Sequence, residues 1–282
     1  MHFCITGTGR CGSKLLRNLF HIHPALFVYD ETHWIPKMYE FFGTGEAEVE
    51  ALINIIRRTN HVTGLPVTEL DEARLATDLA GATRMTVAQF CDVLGKSFAQ
   101  KEGKTLWADK TPDYGPNLQV LQTLWPNCRF VHIVRHGLEV ALSMSRHPGF
   151  RWMASAQEMW WCPPSFNRYY QAVDTVERPF ADFLDLWYRR FQRIRNESTR
   201  LHPDSYLEVR FEDLIAAPEG TLTKIAAFVD VAAPEDWVSE ALSLIDVRRI
   251  RSHAREIEGG NIHPRHRELL TSLGYDWTTQ AG

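Results

Sequence analysis

The chain has 282 residues, of which 44% are hydrophobic and 23% are charged, and its formal net charge is −4. This length and apolar content suit an α/β protein with a large core, and we expect residues 1–282 to form a single domain. A slightly acidic chain lacks the broad basic surface that binds nucleic acid, so nucleic acid is not an expected partner. Charged residues interrupt every long apolar run. This predicts no stable membrane insertion and, with no signal peptide in view, a cytoplasmic location.

The five cysteines are scattered along the chain and form no CxxC pair or Cys/His cluster at zinc spacing. This pattern predicts thiols in a reducing compartment and no metal site. Cys11 is a special case, because it lies in a glycine-rich loop beside Arg10 and ahead of a predicted helix. Such surroundings can lower the pKa of a thiol, so a reactive Cys11 is one hypothesis.

The first predicted elements are a strand over Phe3 to Ile5, a glycine-rich loop, and a helix with apolar side chains at helical spacing. Glycines let the loop amides point inward and the helix N-terminus adds unpaired donors, so we expect a phosphate or sulfate site. The spacing of Gly7 and Gly12 also matches a P-loop, but Ser13 and Lys14 stand in the reverse of the P-loop order. A P-loop kinase or NTPase is therefore an alternative. The loop residues assigned to the anion are Gly9, Arg10, Cys11, Gly12, Ser13 and Lys14.

Further strands and helices alternate along the rest of the chain. Strands are predicted at residues 26–28, 105–108, 129–134 and 205–209. One helix is predicted after Gly137, and the others are expected at residues 46–58, 86–100, 118–124, 179–201 and 218–229. This order indicates an α/β fold with three layers, in which helices cover both faces of a mostly parallel central sheet.

A second anion site is predicted at the end of the strand over residues 129–134. In a parallel sheet, ligands collect beyond the carboxyl ends of the strands. Arg135 directly follows this strand, and Ser143 lies in the helix after it. A guanidinium group and a hydroxyl can together hold a phosphate. An acidic residue, which Mg²⁺ chemistry would require, does not stand at this strand end, so the sequence favours a phosphate site over a metal site.

Together these segments resemble the sulfotransferases that use 3′-phosphoadenylyl sulfate (PAPS). The loop from Gly9 to Lys14 resembles their 5′-phosphosulfate loop, and Arg135 with Ser143 resembles their 3′-phosphate motif. Phe211 to Leu214 and Leu273 to Asp276 are also similar to segments of that family. The resemblance implies a P-loop-like sulfotransferase fold, PAPS as the sulfuryl donor, adenosine 3′,5′-bisphosphate as the product, and no bound metal.

The segment from Glu31 to Pro36 is similar to the protein-tyrosine sulfotransferase branch, where the glutamate of a Glu-Thr-Arg-x-Ile-Pro string is the catalytic base. The resemblance implies that Glu31 takes the acceptor proton. His33 stands where that branch has an arginine, and it is the second candidate for the base.

The resemblance also implies roles for several cations. Arg10 is assigned to the phosphosulfate group with Lys14 as a helper, and Lys110 is expected to stabilise the bridging oxygen of the leaving group. Arg251 and Ser252 are expected to add contacts to the 3′-phosphate.

These motifs do not specify the chemical class of the acceptor. A tyrosine peptide, a carbohydrate, a lipid and a small hydroxylated metabolite are all compatible with these motifs. The segment from Trp152 to Trp161 is expected either to line an acceptor pocket or to fill the core. A hydroxyl-bearing acceptor is the expected partner, and a homodimer is one expected assembly. The alternative to an enzyme is a non-catalytic nucleotide-binding module of the same fold.

Overall fold

A five-stranded parallel sheet forms the centre of the computed structural model, which describes residues 1–63, 75, 77–160, 176–246 and 262–276. The sheet order is β2-β5-β1-β6-β7, and every neighbouring pair is parallel, while β3 and β4 form a separate antiparallel pair. This arrangement confirms the predicted α/β class. In chain order the strands are β1 (Phe3–Gly7), β2 (Leu26–Asp30), β3 (Glu46–Glu48), β4 (Arg84–Thr86), β5 (Leu106–Lys110), β6 (Arg129–Val134) and β7 (Tyr206–Arg210).

Helices surround this sheet. A 3₁₀ helix, Pro112–Asn117, follows β5. Within the described ranges, no helix has both the length and the apolar character needed to cross a membrane. The α-helices of the described residues are α1 (Ser13–His21), α2 (Ile35–Phe42), α3 (Val49–Thr63), α4 (Val87–Lys101), α5 (Leu118–Leu124), α6 (Gly137–Ser145), α7 (Pro148–Ala156), α8 (Phe180–Ser198), α9 (Phe211–Ala216), α10 (Pro218–Phe228), α11 (Glu235–Ser243) and α12 (Pro264–Ser272).

Both faces of the sheet are apolar, because successive side chains of a strand point to opposite faces. In β1, Phe3 and Ile5 belong to one buried cluster and Cys4 belongs to the other. In β6, Val131 and Phe130 divide between the two clusters in the same way. The two clusters explain why the strands read as continuous apolar runs, and they confirm helices on both faces.

Two boundaries differ from the prediction in ways that matter. The segment predicted as a helix from residue 46 starts as the strand Glu46–Glu48, which pairs with Arg84–Thr86, before α3 begins. The strand predicted to end at residue 108 continues through Asp109 to Lys110, because it pairs with β2 as far as Asp30. Lys110 is thus a buried strand residue rather than part of an exposed turn.

Candidate functional site

The carboxyl ends of four neighbouring strands bring the predicted site residues to one edge of the sheet. Because β1, β2, β5 and β6 are parallel neighbours, their last residues lie at the same edge. The glycine-rich loop follows β1, the segment with Glu31 follows β2, Lys110 ends β5, and Arg135 follows β6. The topology therefore assembles, at a single edge, residues that lie more than a hundred positions apart in the sequence.

The loop after β1 needs its glycines. Gly9 has φ of 77° and Gly12 has φ of 97°, a left-handed region that favours residues without a Cβ. A Cβ on Gly9 would lie 2.5 Å from a ring carbon of Phe150, and a Cβ on Gly12 would lie 2.2 Å from a ring carbon of Phe211. Two aromatic rings from other parts of the chain thus pack directly against the loop backbone and fix its shape.

The loop and α1 present the features of an anion site. No side chain caps the N-terminus of α1, and its first turn has no acidic residue. The first-turn amides and the positive end of the helix dipole are therefore available to an anion. Ser13 is buried at the first position of the helix, while Arg10 and Lys14 are exposed. The residues present fit a phosphate or sulfate group.

Cys11 does not behave as the reactive thiol of the sequence hypothesis. Its side chain is fully buried, and its sulfur lies 2.5 Å from the position that a Cβ on Gly7 would occupy. Burial raises the pKa of the Cys11 thiol above its ordinary value and outweighs the backbone hydrogen bonds that favour the thiolate. The expectation of a low-pKa cysteine is thus wrong, because desolvation dominates the effect of the helix terminus.

Arg10 joins the two predicted anion segments directly. Its Nε donates to Ser143 Oγ over 3.1 Å, across 133 positions of the sequence. Arg135, which is predicted to hold the same phosphate as Ser143, forms a separate pair with Glu139. The contact places the glycine-rich loop against α6, so the two anion segments belong to one continuous surface.

Arg135 is held at the second anion segment by a carboxylate and a ring. Its Nη2 donates to Glu139 Oε2 over 2.9 Å, and the two side chains are 13% and 6% exposed. The guanidinium also lies over the Phe211 ring, 4.8 Å from its centroid. Since a guanidinium has five N–H donors, the pair with Glu139 fixes its orientation while leaving donors for a phosphate.

A buried ammonium group and two carboxylates form the other half of the edge. Lys110 Nζ donates to Glu31 Oε1 over 2.6 Å and forms a second ion pair with Asp30. The Lys110 side chain is 1% exposed, whereas that of Glu31 is 43% exposed. The ammonium thus lies behind a carboxylate that faces the open side of the site.

The charges of this cluster shift one another. Desolvation would raise the pKa of Glu31, but the hydrogen bond from His33 and the charge of Lys110 outweigh it and hold the pKa below its usual range. Desolvation would lower the pKa of His33, but its bond to Glu31 raises the pKa above the ordinary value. His33 Nε2 lies 3.5 Å from Glu31 Oε2. Glu31 is therefore an ionised carboxylate at neutral pH, with Lys110 at one oxygen and His33 at the other.

The backbone around Glu31 is strained and firmly anchored. Glu31 and His33 have φ of 65° and 57°, a region that costs non-glycine residues about 1 kcal/mol or more. Between them, the Thr32 amide donates to Thr111 Oγ1 over 3.0 Å, and the Thr32 hydroxyl donates to Asp109 Oδ2 over 2.7 Å. The Tyr114 hydroxyl accepts from the Ile35 amide over 3.2 Å and also contacts the Thr32 hydroxyl. These buried contacts determine the direction of both the Glu31 and His33 side chains.

Two further histidines, one in β6 and one just after it, have structural partners. His132 is buried inside β6, and its Nδ1 lies 2.6 Å from the Tyr206 hydroxyl. His136 caps α6, since its Nδ1 accepts from the Leu138 amide, and its Nε2 lies 2.8 Å from the Asp276 carbonyl oxygen. His33 is thus the histidine that directly contacts the proposed base.

The C-terminal segment singled out in the sequence packs on the second anion segment. Besides the contact between His136 and Asp276, the Tyr275 hydroxyl donates to Glu212 Oε2 over 2.7 Å. The other oxygen of Glu212 accepts from the His136 amide over 2.9 Å. Glu212 thus ties the loop after β6 to the C-terminal segment, and it explains why Phe211 to Leu214 and Leu273 to Asp276 occur together.

Several predictions fall outside the described residues, and several contacts were missed. Arg251, Ser252 and Trp161 lie outside the described residues, while Trp152 is buried in the core. Sequence reasoning missed several contacts that hold the site residues in place, because these contacts arise only on folding. They involve Thr32, Asp109, Tyr114, His147, Phe150 and Phe211.

The fold and the site define a class: a parallel α/β protein with an anion loop before its first helix and an ionised carboxylate at the same sheet edge. The comparisons with known proteins identify the family. The model described as "Sulfotransferase family" matches residues 3–235, and the chain belongs to this family. This membership decides against the P-loop kinase alternative. No curated protein sequence matches the chain.

Solved structures show the same fold. The chain is similar to the sulfotransferase domain from the curacin biosynthetic pathway, with a TM-score of 0.61, 20% identity and 97% of each chain covered. It is also similar to the sulfotransferase domain of the olefin synthase from Synechococcus PCC 7002, with a TM-score of 0.55, 20% identity, and 97% and 94% of the two chains covered. For sulfotransferase STF9 from Mycobacterium avium, the TM-score is 0.50 at 10% identity, with 97% and 77% covered. These likenesses concern the fold.

Proposed function

We propose that this chain transfers a sulfuryl group from PAPS to the hydroxyl of an acceptor, with adenosine 3′,5′-bisphosphate as the second product. The observation that carries the proposal is the hydrogen bond between Arg10 and Ser143. It joins a loop suited to a 5′-phosphosulfate and a segment suited to a 3′-phosphate into one surface. A donor with phosphate groups at both ends of one ribose requires two such segments side by side.

The donor site is assigned to residues on both segments. The amides of Gly9 to Ser13 and the Arg10 side chain would hold the phosphosulfate, with Lys14 as an exposed helper. Arg135 and Ser143 would hold the 3′-phosphate, and Arg251 and Ser252 stay a prediction for further contacts. The loop fits this group because its first helical turn has no acid and no side-chain cap.

PAPS supplies a sulfur that accepts an incoming oxygen while its bond to the bridging phosphate oxygen breaks. The acceptor hydroxyl must lose a proton in that step, and Glu31 is the proposed base. Its carboxylate is ionised and 43% exposed, so it can accept a proton from a molecule in the open part of the site. The rigid backbone of Thr32 holds it in place.

Lys110 is proposed to have two roles. Its bond to Glu31 orients the base, and its positive charge keeps the base ionised. Lys110 pairs with Asp30 and Glu31 and is 1% exposed, so its expected hydrogen bond to the bridging oxygen of the leaving group stays a prediction from the family resemblance. His33 supports Glu31 from the other oxygen and stays the second candidate for the base.

The acceptor class, the protein-tyrosine sulfotransferase branch, the homodimer, the single domain and the cytoplasmic location stay predictions from the sequence. Ionised Glu31 suits a hydroxyl whose pKa is already low, which favours a phenolic acceptor among the predicted classes. A phenolic acceptor also agrees with the resemblance of the segment from Glu31 to Pro36 to the protein-tyrosine sulfotransferase branch.

The test is transfer of a radiolabelled sulfuryl group from PAPS to a panel of a simple phenol, a tyrosine peptide, a sugar and an aliphatic alcohol. We expect label on at least one acceptor, with one adenosine 3′,5′-bisphosphate formed per label transferred. Donor binding with no label on any acceptor would support the non-catalytic module instead. No binding and no transfer would overturn the proposal.

A further inference from the structure

A histidine outside the predicted motifs lies beside the glycine-rich loop from Gly9 to Lys14, which we call the donor loop. His147 immediately precedes α7, one turn beyond Ser143, and its amide donates to the Met144 carbonyl oxygen over 3.0 Å. Its ring packs edge-on against Phe150, with 5.5 Å between the centroids. Phe150 is the ring that packs on Gly9 of the anion loop. Through these contacts, the position of His147 relative to the loop is fixed.

The hydrogen bonds of His147 fix its tautomer. Its Nδ1 accepts from the Gly149 amide over 3.2 Å, so Nδ1 carries no proton. In the neutral ring the proton is therefore on Nε2, which is a donor. Within the described residues, no group accepts a hydrogen bond from Nε2, and the side chain is half-buried. His147 thus offers one oriented N–H donor at the edge of the sheet.

The surroundings of His147 keep the ring neutral. Burial lowers the pKa of His147 below its ordinary value, the charge of Arg10 lowers it further, and the charge of Glu31 opposes both. The position of the ring beside the loop follows from its contact with Phe150, which packs on Gly9. A neutral N–H donor is therefore present beside the loop that is proposed to hold the phosphosulfate group.

We infer that His147 is a further substrate-binding residue, whose Nε2–H donates to an oxygen of the sulfuryl group of PAPS. This inference rests on the proposed function. A neutral donor suits a sulfuryl group because it stabilises the anionic oxygens without providing a proton that the acceptor oxygen or Glu31 could take. The competing explanation is that His147 acts purely as the N-cap of α7.

Two substitutions separate these explanations, because each keeps one nitrogen function of the ring. His147→Asn keeps a short side chain that can cap α7 through its oxygen, but it has no donor at the Nε2 position. His147→Gln can place an amide N–H near the Nε2 position, but it is a poor N-cap. Each variant therefore serves as the matched control for the other.

The readouts are calorimetric affinities for PAPS and for adenosine 3′,5′-bisphosphate, without an acceptor, and the melting temperature. The ratio of the two affinities isolates the sulfuryl contact. We expect His147→Asn to reduce the preference for PAPS about tenfold while keeping the melting temperature, and His147→Gln to keep most of the preference while melting lower.

A PAPS preference that is unchanged in His147→Asn, while adenosine 3′,5′-bisphosphate binds normally, would overturn the role of His147 alone. Failure of the unsubstituted protein to bind either nucleotide would overturn the proposed function and this role with it. The two failures are therefore distinguishable in the same titrations.

Discussion

The donor loop and the Glu31 cluster lie at the same sheet edge, yet their charges are arranged in opposite ways. In the loop, Arg10 and Lys14 are exposed, and the first turn of α1 has no acid to neutralise the helix terminus. In the cluster, the cation Lys110 is buried and paired with two carboxylates, Asp30 and Glu31. The loop has positive charge available to an anion, whereas in the cluster the cation is already paired and a carboxylate is exposed. This difference suits donor binding on one side and proton removal on the other.

The largest effect is expected from removing the proposed base. Glu31→Gln keeps the size of the side chain but cannot accept the acceptor proton, so we expect kcat to fall by roughly 10²- to 10⁴-fold. Affinity for adenosine 3′,5′-bisphosphate should stay unchanged, because Glu31 lies in the cluster and not in the loop. Glu40→Gln, on the exposed surface of α2, is the matched control and should keep wild-type turnover. Normal turnover in Glu31→Gln would transfer the role of base to another group, His33 first.

Lys110 gives a pH test of the same cluster. Lys110→Met keeps the apolar stem but removes the ammonium that holds the pKa of Glu31 low. A depressed carboxylate pKa keeps the base ionised down to acid pH. The acid limb of the kcat profile should therefore move to higher pH in the variant, with kcat reduced by about 10² or more at neutral pH. An acid limb at the same pH as in the wild type would show that Lys110 does not control the ionisation of Glu31.

Arg135→Ala tests the proposed donor site. Loss of the guanidinium should weaken adenosine 3′,5′-bisphosphate binding by about 10- to 100-fold, since a charge-assisted hydrogen bond contributes about 1.5–3 kcal/mol. Arg84→Ala removes an exposed arginine that pairs with Glu46 and Glu48 far from the edge, and it should bind like the wild type. Calorimetry distinguishes the two. Equal affinities in both variants would remove Arg135 from the donor site.

A smaller effect, on stability, is expected from His33→Gln. The folded-state pKa of His33 is raised, so its bond to Glu31 stabilises the fold fully below the unfolded pKa of about 6.5 and less as pH rises through the folded pKa. The variant should lose about 1–2 kcal/mol of unfolding free energy at pH 6 and less at pH 9. Glu31, whose pKa is depressed, is ionised at both pH values and does not contribute to the difference. Urea unfolding at the two pH values measures it, and a difference that grows with pH would contradict the pairing.

The sequence was sufficient to predict an element where the residues that define it are close together in the chain. The loop from Gly9 to Lys14 could be predicted because the turn and the helix start are contiguous. The helix predicted from residue 86 is local in the same way, since a capping box of Thr86 and Gln89 begins it. The arrangement around Thr32 could not be predicted, since its partners Asp109 in β5 and Thr111 just after β5 are 77 or more positions away. Likewise, the hydrogen bond between Arg10 and Ser143 depends on how α6 packs, which residue spacing does not specify.

The central claim is that the sheet edge binds a nucleotide with phosphates at both the 3′ and 5′ positions. Its most direct test compares the melting temperature with adenosine 3′,5′-bisphosphate and with ATP and Mg²⁺, each at saturating concentration. A ligand at about 100 times its Kd stabilises the fold by roughly 2.7 kcal/mol, which corresponds to about 5 °C or more for a protein of this size. We predict such a shift with adenosine 3′,5′-bisphosphate and little or none with ATP and Mg²⁺. A shift with ATP and Mg²⁺ alone, or with neither, would contradict the claim.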